Sequence, residues 1–150
     1  MSIDIRLARE ADLPFVLALY QALEERADDV LTPEQAREVW AQFARYPSYR
    51  LFVACDDQGR VVGSYALLIM HNLAHRGAPS AIVEDVVVDE ALRGQGIGRR
   101  MMAHAMALAR EAGCYKLALS SNRKREAAHA FYESLGFAQH GLSFLVSIAP

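Results

Sequence analysis

The feature that most constrains the fold of this chain is a glycine-rich loop between a predicted strand and a predicted helix. Residues 92–100 contain three alternating glycines, at positions 94, 96 and 98, with arginines on both sides. The loop follows the apolar run 81–88 and precedes the alanine- and methionine-rich segment 101–112. Glycine permits positive φ angles and close backbone approach, and the first amides of a helix attract anions. The loop predicts a phosphate or pyrophosphate site, although a tight turn that binds nothing also explains its glycines.

Two common nucleotide-binding loops do not fit these residues. A dinucleotide-binding fingerprint starting at Gly94 needs a glycine at position 99, which is Arg99. A P-loop ends on Gly-Lys-Ser/Thr, whereas two arginines follow Gly98. We therefore predict a phosphorylated ligand without the sequence signs of NAD or ATP.

Length and composition favour one compact domain over residues 1–150. A hydrophobic fraction of 53% with 23% charged residues is typical of globular proteins, and a net charge of −2 does not favour nucleic acid or a membrane as partner. Neither a signal peptide nor a membrane-spanning run is visible. Cys55 and Cys114 lie far apart and have no metal-site spacing. We expect a cytoplasmic protein without a metal site.

The order of elements predicts the fold class. Alternation at Ile3, Ile5 and Leu7 indicates a strand, and helices follow Asp12 and the Thr32-Pro33 pair. The remaining expected elements are a hairpin at 49–55 and 61–70, a strand at 81–89, a helix ending at Gly113, a strand at 115–120, a helix ending at Gly136, and two short strands within 137–149. This is an α/β pattern, a mixed central sheet with helices on both faces.

Polar residues within apolar elements are the candidates for chemistry. Glu84 and Asp85 interrupt an apolar strand, and adjacent strand residues face opposite sides unless a bulge intervenes. They are either an exposed or ion-paired couple, or a general base beside the glycine loop. Tyr132 lies beside the buried stripe of its helix, so it is either a core-rim tyrosine or a phenol aimed at the ligand.

The loop at residues 71–80 carries His71, His75 and Arg76. No carboxylate cluster accompanies the two histidines, which disfavours a metal site. We expect these three residues either to be exposed or to line a polar substrate.

Three motifs together resemble the GCN5-related N-acetyltransferase (GNAT) family. They are Glu84-Asp85-Val86-Val87-Val88-Asp89, Arg93-Gly94-Gln95-Gly96-Ile97-Gly98, and Phe131-Tyr132-Glu133-Ser134-Leu135-Gly136-Phe137. Arg93, Gly96 and Gly98 match the family's Arg/Gln-x-x-Gly-x-Gly/Ala pattern. The order of elements also fits, so the resemblance covers nearly the whole chain and implies the family's acyl-CoA N-acyltransferase fold.

The resemblance implies acetyl-CoA as the acetyl donor. Its pyrophosphate would bind the loop amides, and its pantetheine arm would pair with the strand edge. The expected donor-binding residues are Val86, Val87, Val88, Arg93, Gly94, Gln95, Gly96, Ile97, Gly98 and Arg99. Tyr132 matches the family tyrosine that protonates the departing thiolate. Many members carry asparagine seven residues before that tyrosine, where this chain has Arg125, and Asn122 lies three residues earlier. Either residue is a candidate contact for the CoA arm.

The chemistry assigns roles to the remaining residues. An alkylamine with a pKa of about 10.4 is almost entirely protonated at pH 7, a handicap of ~4–5 kcal/mol. Glu84 is the first candidate for the base that removes this proton and Asp85 the second. A backbone N–H near Val86 is the candidate donor to the developing oxyanion.

The acceptor is predicted less closely than the donor. Different segments resemble glucosamine-phosphate and aminoalkylphosphonate acetyltransferases, which favours a small phosphorylated amine bound by His71, His75, Arg76 and Glu84. A peptide or protein amine, an antibiotic or a polyamine remains open as the acceptor, as does an acyl-CoA-binding module without turnover. We also expect a homodimer, in which the apolar segment 143–149 pairs between subunits.

Overall fold

The computed structural model describes residues 2–23, 29–121 and 125–148. The chain divides into two compact units, Met1–Ala118 and Leu119–Pro150. The sequence-based prediction of one domain concerns both units and stays a prediction.

The first unit is built on a sheet with the strand order β1-β2-β3-β4-β5. Its elements are β1 (Asp4–Leu7), α1 (Leu13–Leu23), α2 (Pro33–Phe43), β2 (Tyr49–Cys55), β3 (Val61–Met70), β4 (Ser80–Val88) and α3 (Ile97–Glu111), and it passes into the second unit within β5 (Leu117–Leu119). The first four strands pair antiparallel in sequence order. The predicted hairpin is confirmed with its expected bounds, whereas β5 is shorter than predicted.

Helices cover both faces of this sheet, as the sequence predicts. On one face, Leu51 and Val53 pack in a buried cluster with Leu13 and Val16 of α1 and Ala36 of α2. On the other face, the neighbouring side chain Phe52 meets His104 of α3, with ring centroids 4.9 Å apart. The alternation of strand side chains therefore separates an α1/α2 face from an α3 face.

Helix α2 begins as its sequence predicts. The Thr32 hydroxyl accepts from the Gln35 backbone N–H at 3.3 Å, and the Gln35 side-chain oxygen accepts from the Thr32 N–H at 2.9 Å. Pro33 occupies the first helical position, where no backbone donor is needed. This capping box fixes the start of α2 at the edge of the α1/α2 face.

Helix α3 buries a stripe that differs from the one its apolar spacing predicts, which is Ile97, Met101, Ala105, Leu108 and Ala112. The first three of these are buried, but Leu108 is only half-buried and Ala112 is exposed. The other buried residues of α3 are Met102 and Ala109. A helix turns 100° per residue, so a stripe at spacings of three and four drifts around the axis. The predicted ending is confirmed, since Gly113 follows the helix with φ of +77°.

The second unit contains α4 (Glu126–Ser134), which ends before Gly136, a residue with φ of +95°. The prediction of two strands within 137–149 is wrong for the described part, because residues 137–148 form no strand. Leu142, Phe144 and Leu145 are more than four-fifths exposed. An apolar, strand-prone segment does not become a strand without an edge to pair with. Among the helices that the structure describes, none is long and apolar enough to cross a membrane.

Candidate active site

A β-bulge interrupts β4 at the two carboxylates. Ser64 pairs with Val87 and Ala66 pairs with Glu84, so Tyr65 alone faces both Asp85 and Val86. Asp85 has a φ of +54°, in the left-handed region. A bulge leaves the extra residue outside the regular ladder and re-aims the side chains around it. The sequence rule that only one of two adjacent carboxylates faces a given cleft therefore does not hold at this position.

The bulge places Glu84 on the α1/α2 face of the sheet. Leu51 pairs with Ala66, which pairs with Glu84, and directly paired residues project from the same face. Both Glu84 and Asp85 are exposed. No ion pair between described residues involves either carboxylate. The ion-paired interpretation is thus not supported, and both groups are open to an incoming cation.

Two tyrosines lie close to these carboxylates. Burial raises the pKa of Tyr20, and the Asp85 charge raises it further, while a hydrogen bond with Ser64 acts in the opposite direction. Burial also raises the pKa of Tyr49, with further contributions from Asp85 and Glu84. Both phenols therefore stay protonated at neutral pH and can donate hydrogen bonds. Sequence reasoning missed both residues, because each occupies an ordinary apolar position of its helix or strand.

The glycine loop follows β4 after a short turn at Glu90–Leu92. Gly94 and Gly96 have φ angles of +82° and +85°. Gly96 is the N-cap of α3 and provides no capping side chain, and a helical hydrogen bond runs from the Arg100 N–H to the Gly96 carbonyl at 3.1 Å. The unpaired amides of the first turn of α3 therefore lie at an exposed glycine loop, and amides of this kind bind anions. A phosphate fits this arrangement.

Close packing fixes the start of α3 against the sheet. A Cβ on Gly63 would lie 3.1 Å from Met101 Sδ, 3.2 Å from the Val87 carbonyl oxygen and 3.3 Å from Ile97 Cγ2. A glycine within the strand pattern at 61–70 predicts either a bulge or a point of close approach, and at Gly63 the structure shows close approach. The glycine loop is thereby held beside the last residues of β4.

A buried hydrogen bond lies beneath the bulge on the α3 face. Tyr65 Oη and His104 Nδ1 are 2.6 Å apart, and Tyr65 is fully buried. Burial lowers the pKa of His104, the nearby Arg50 charge lowers it further, and Glu111 opposes the change. The hydrogen bond between phenol and imidazole anchors α3 to the residue facing the bulge.

The loop with His71, His75 and Arg76 lies at the opposite end of β4 from the glycine loop. His75 and Arg76 have positive φ angles of +53° and +57°, and Gly77 follows at +80°. The His75 ring stacks on Tyr115 with centroids 4.0 Å apart. Four strand steps lead from Ser80 to Glu84, roughly 13 Å. The structure does not bring these three residues together with Glu84.

Tyr132 lies on α4 of the second unit and is half-buried between aromatic neighbours. Its ring centroid is 5.2 Å from that of Phe131 and 5.8 Å from that of Phe137. Burial raises the pKa of Tyr132, and the Arg125 charge lowers it in part. The phenol is thus neutral and able to donate a proton. Arg125 is exposed at the N-cap of α4, and Asn122 lies outside the described residues.

Comparison with known proteins identifies the family. A model of the acetyltransferase (GNAT) family matches residues 16–137. The chain is a GNAT-family N-acetyltransferase. A glucosamine 6-phosphate N-acetyltransferase of Trypanosoma brucei brucei is 33% identical, over 93% of this chain and 92% of its own length. An aminoglycoside N(6')-acetyltransferase type 1 of Stenotrophomonas maltophilia is 30% identical, over 90% and 86%. A solved structure from Agrobacterium tumefaciens has a TM-score of 0.88 at 40% identity and covers 96% of this GNAT chain and 99% of its own.

Proposed function

We propose that this protein moves the acetyl group of acetyl-CoA to the primary amine of a small molecule by direct attack. The observation that carries the proposal is the bulge in β4, which presents Glu84 and Asp85 on the strand that leads into the glycine loop. A base and a phosphate-binding loop on one strand-loop-helix unit suit a reaction between an amine and a CoA thioester.

The donor would be held by backbone groups. The amides that follow Gly96, with Arg93, Gly94, Gln95, Ile97, Gly98 and Arg99 around them, would bind the pyrophosphate. Val86, Val87 and Val88 would pair with the pantetheine arm as an added strand. Lys116, just before β5, accepts from Ala81 at the start of β4, and β5 ends at Leu119 after three residues. A short β5 supports this proposal, because it flanks only the first part of β4.

The acceptor amine must lose a proton before it attacks. In the proposed reaction Glu84 takes this proton directly or through water, with Asp85 as the second candidate. The nitrogen then bonds to the acetyl carbon while the carbon–sulfur bond breaks. An N–H at Val86 would donate to the oxyanion, and the disturbed ladder at the bulge supports a free donor there.

The departing thiolate would take its proton from Tyr132. A raised phenol pKa keeps the proton available at neutral pH. A thiol with a pKa near 8.5 is already a fair leaving group, so this step should assist the reaction without being indispensable. Asn122 or Arg125 would contact the CoA arm. This assignment treats both units as parts of one acetyltransferase domain over residues 1–150.

For the acceptor, we propose a phosphorylated amine or an amino sugar. The names of relatives support this class, since one acts on glucosamine 6-phosphate and another, over 57% of this chain, on aminoalkylphosphonates. Glu84 would hold the amine, while His71, His75 and Arg76 stay candidates for other parts of the acceptor. A relative named as a peptidyl-lysine acetyltransferase keeps a protein amine as the second candidate.

Cellular setting and assembly complete the proposal. Cys55 and Cys114 are both free thiols, which suits a reducing cytoplasm. We propose a homodimer that covers the exposed apolar side chains of residues 142–148.

Release of free thiol from acetyl-CoA across a panel of amines tests the proposal. Turnover that saturates with a small amine supports it. Tight acetyl-CoA binding without turnover on any amine would favour a binding module instead.

Replacing Glu84 with Gln should lower kcat about 100-fold, because the ammonium loses its base. The acid limb of the pH–rate profile should shift or vanish. Glu90→Gln, an exposed carboxylate on the next turn, is the matched control and should leave the profile in place. An unchanged profile in Glu84→Gln would place the base elsewhere, with Asp85→Asn as the next variant.

Replacing Tyr132 with Phe should lower kcat about tenfold with little change in acetyl-CoA affinity, since only the acid is lost. An unchanged kcat would remove the acid role from Tyr132.

A further inference from the structure

A groove lined mainly by aromatic side chains opens between α2 and the start of β2 in the first unit, beside the end of β1. Its volume is about 360 Å³, within the ~300–1,000 Å³ of typical small-molecule sites. The aromatic groove, as we call it, is lined chiefly by Leu7, Trp40, Phe43, Tyr46, Tyr49 and Leu51. None of the sequence motifs accounts for it.

The rings of the aromatic groove support one another. Trp40 and Phe43 have centroids 5.5 Å apart, and Phe43 stacks on Tyr49 at 4.8 Å. Tyr46 meets Tyr49 edge-on at 5.9 Å. Leu7 is 53% and Tyr46 58% exposed, so one side of the groove faces water. A flat ligand could lie on these rings and keep its other face hydrated.

The aromatic groove lies near the bulge carboxylates. Leu51, which lines the groove, pairs with Ala66, and Ala66 pairs with Glu84. All three project from the same face, and two strand spacings of ~4.8 Å separate Leu51 from Glu84 by roughly 10 Å. Tyr49 lines the groove, and its pKa is raised by burial and further by the charges of Asp85 and Glu84. Leu51 and Ala66 are themselves buried, so a molecule that spans from the rings to the carboxylates would lie along Tyr49.

The chemistry of this surface suits a cyclic amine with hydroxyl groups. Carboxylates attract the ammonium, the rings accept the apolar C–H face of a sugar, and the phenols can hydrogen-bond its hydroxyls. Arg50 is the charged residue among those lining the groove, and its guanidinium lies over Phe52 at 5.4 Å. The groove thus offers several aromatic faces to a ring and one cation, Arg50, to an anionic substituent.

We infer that the aromatic groove binds the ring of an amino-sugar acceptor and directs its amine toward Glu84. This inference rests on the proposed function and adds the part of the acceptor that the groove selects. Tyr46, Trp40 and Tyr49 determine the preference for a cyclic over an open-chain amine.

Trp40 is the single tryptophan of the chain, so its fluorescence reports directly on the groove. We expect glucosamine to change Trp40 emission over the concentration range that saturates acetylation. An open-chain amine, 1,5-diaminopentane, should leave the emission unchanged. Tyr46→Ala should raise the KM for glucosamine about tenfold, keep kcat within twofold and leave the open-chain amine unaffected. Phe15→Ala, at 59% exposure on α1, is the matched control and should change neither.

The outcomes separate this inference from the proposed function. Acetylation of glucosamine without any change in Trp40 emission would overturn the inference and leave the function intact. Turnover of open-chain amines alone, or an equal effect of Tyr46→Ala on both amines, would do the same. If no amine raises the rate of thiol release above the background hydrolysis of acetyl-CoA, the proposed function is overturned, and the inference with it.

Discussion

The two ends of β4 both use left-handed backbone, but in different ways. Before the strand, His75 and Arg76 adopt positive φ although neither is glycine, and Gly77 completes the turn. After the strand, the left-handed positions are Gly94 and Gly96. A side chain in this region costs roughly 1–2 kcal/mol, whereas glycine adopts it without that strain.

The two turns also differ in how closely other groups pack around them. At the histidine end, His75 stacks on Tyr115, and the Asn72 side chain donates to the Ala78 carbonyl at 2.9 Å. At the glycine end, no atom lies within 4 Å of a Cβ built on Gly94 or Gly96. The strained turn is held by its own packing, and the unstrained turn is left open. Openness at the glycine end is what a ligand-binding loop requires.

The largest effect in this comparison is expected from Gly96→Ala. The new side chain strains the left-handed residue and shifts the first amides of α3, so the KM for acetyl-CoA should rise at least tenfold. Gly113→Ala is the matched control, because Gly113 also has positive φ and open space but follows the other end of α3. Both variants should lose about 1 kcal/mol of unfolding free energy in urea. Equal KM values in the two would contradict donor binding at the glycine loop.

A smaller effect of opposite sign is expected at the histidine end. Arg76→Gly should relieve the left-handed strain and change the unfolding free energy by about +0.5–1 kcal/mol, partly offset by the greater freedom of glycine in the unfolded chain. Thermal unfolding measures this change. The KM for the acceptor in the same variant tests the proposed substrate contact of Arg76, since a rise would favour that contact.

The smallest effect concerns the support beneath the bulge. The folded-state pKa of His104 lies below its ordinary value of about 6.5, chiefly because of burial. Below pH 6.5 the unfolded chain therefore binds a proton more readily, and stability should fall as the pH drops toward the folded pKa. His104→Gln should lack this loss, so the stability advantage of the wild type over the variant should narrow measurably, by up to about 1 kcal/mol, as the pH falls from 7.5 to 5.5. A constant difference would show that His104 does not titrate differently on folding.

Local signals were sufficient to predict much of the fold. The turn at residues 56–60, with Gly59 at positive φ, sets the hairpin bounds, and Thr32 and Gln35 fix the start of α2. These features depend on residues that contact each other within a few positions. The glycine loop belongs to the same class, and its placement between β4 and α3 is confirmed.

The bulge and the aromatic groove depend on distant residues. Nothing in Glu84-Asp85-Val86 alone indicates that Tyr65 faces two residues of β4, because the offset arises from pairing with β3. Tyr20 and Tyr49 approach the carboxylates only through the packing of α1 and β2. The prediction of two strands within 137–149 was wrong, in its described part, for the reverse reason. Apolar residues there suggested strands, but no described neighbour pairs with residues 137–148.

The extra residue in β4 also controls the phase of the strand that follows it. With the bulge, Val87 shares a face with Glu84 and is buried, while Val86 and Val88 are half-buried. Restoring simple alternation at the same length would shift the pairing with β3 by one residue and turn each of the three valines to the opposite side, whereas deleting the extra residue would leave the register of the valines intact. The carboxylate half and the valine half of β4 are therefore two separately aligned segments, joined by a residue that belongs to the register of neither.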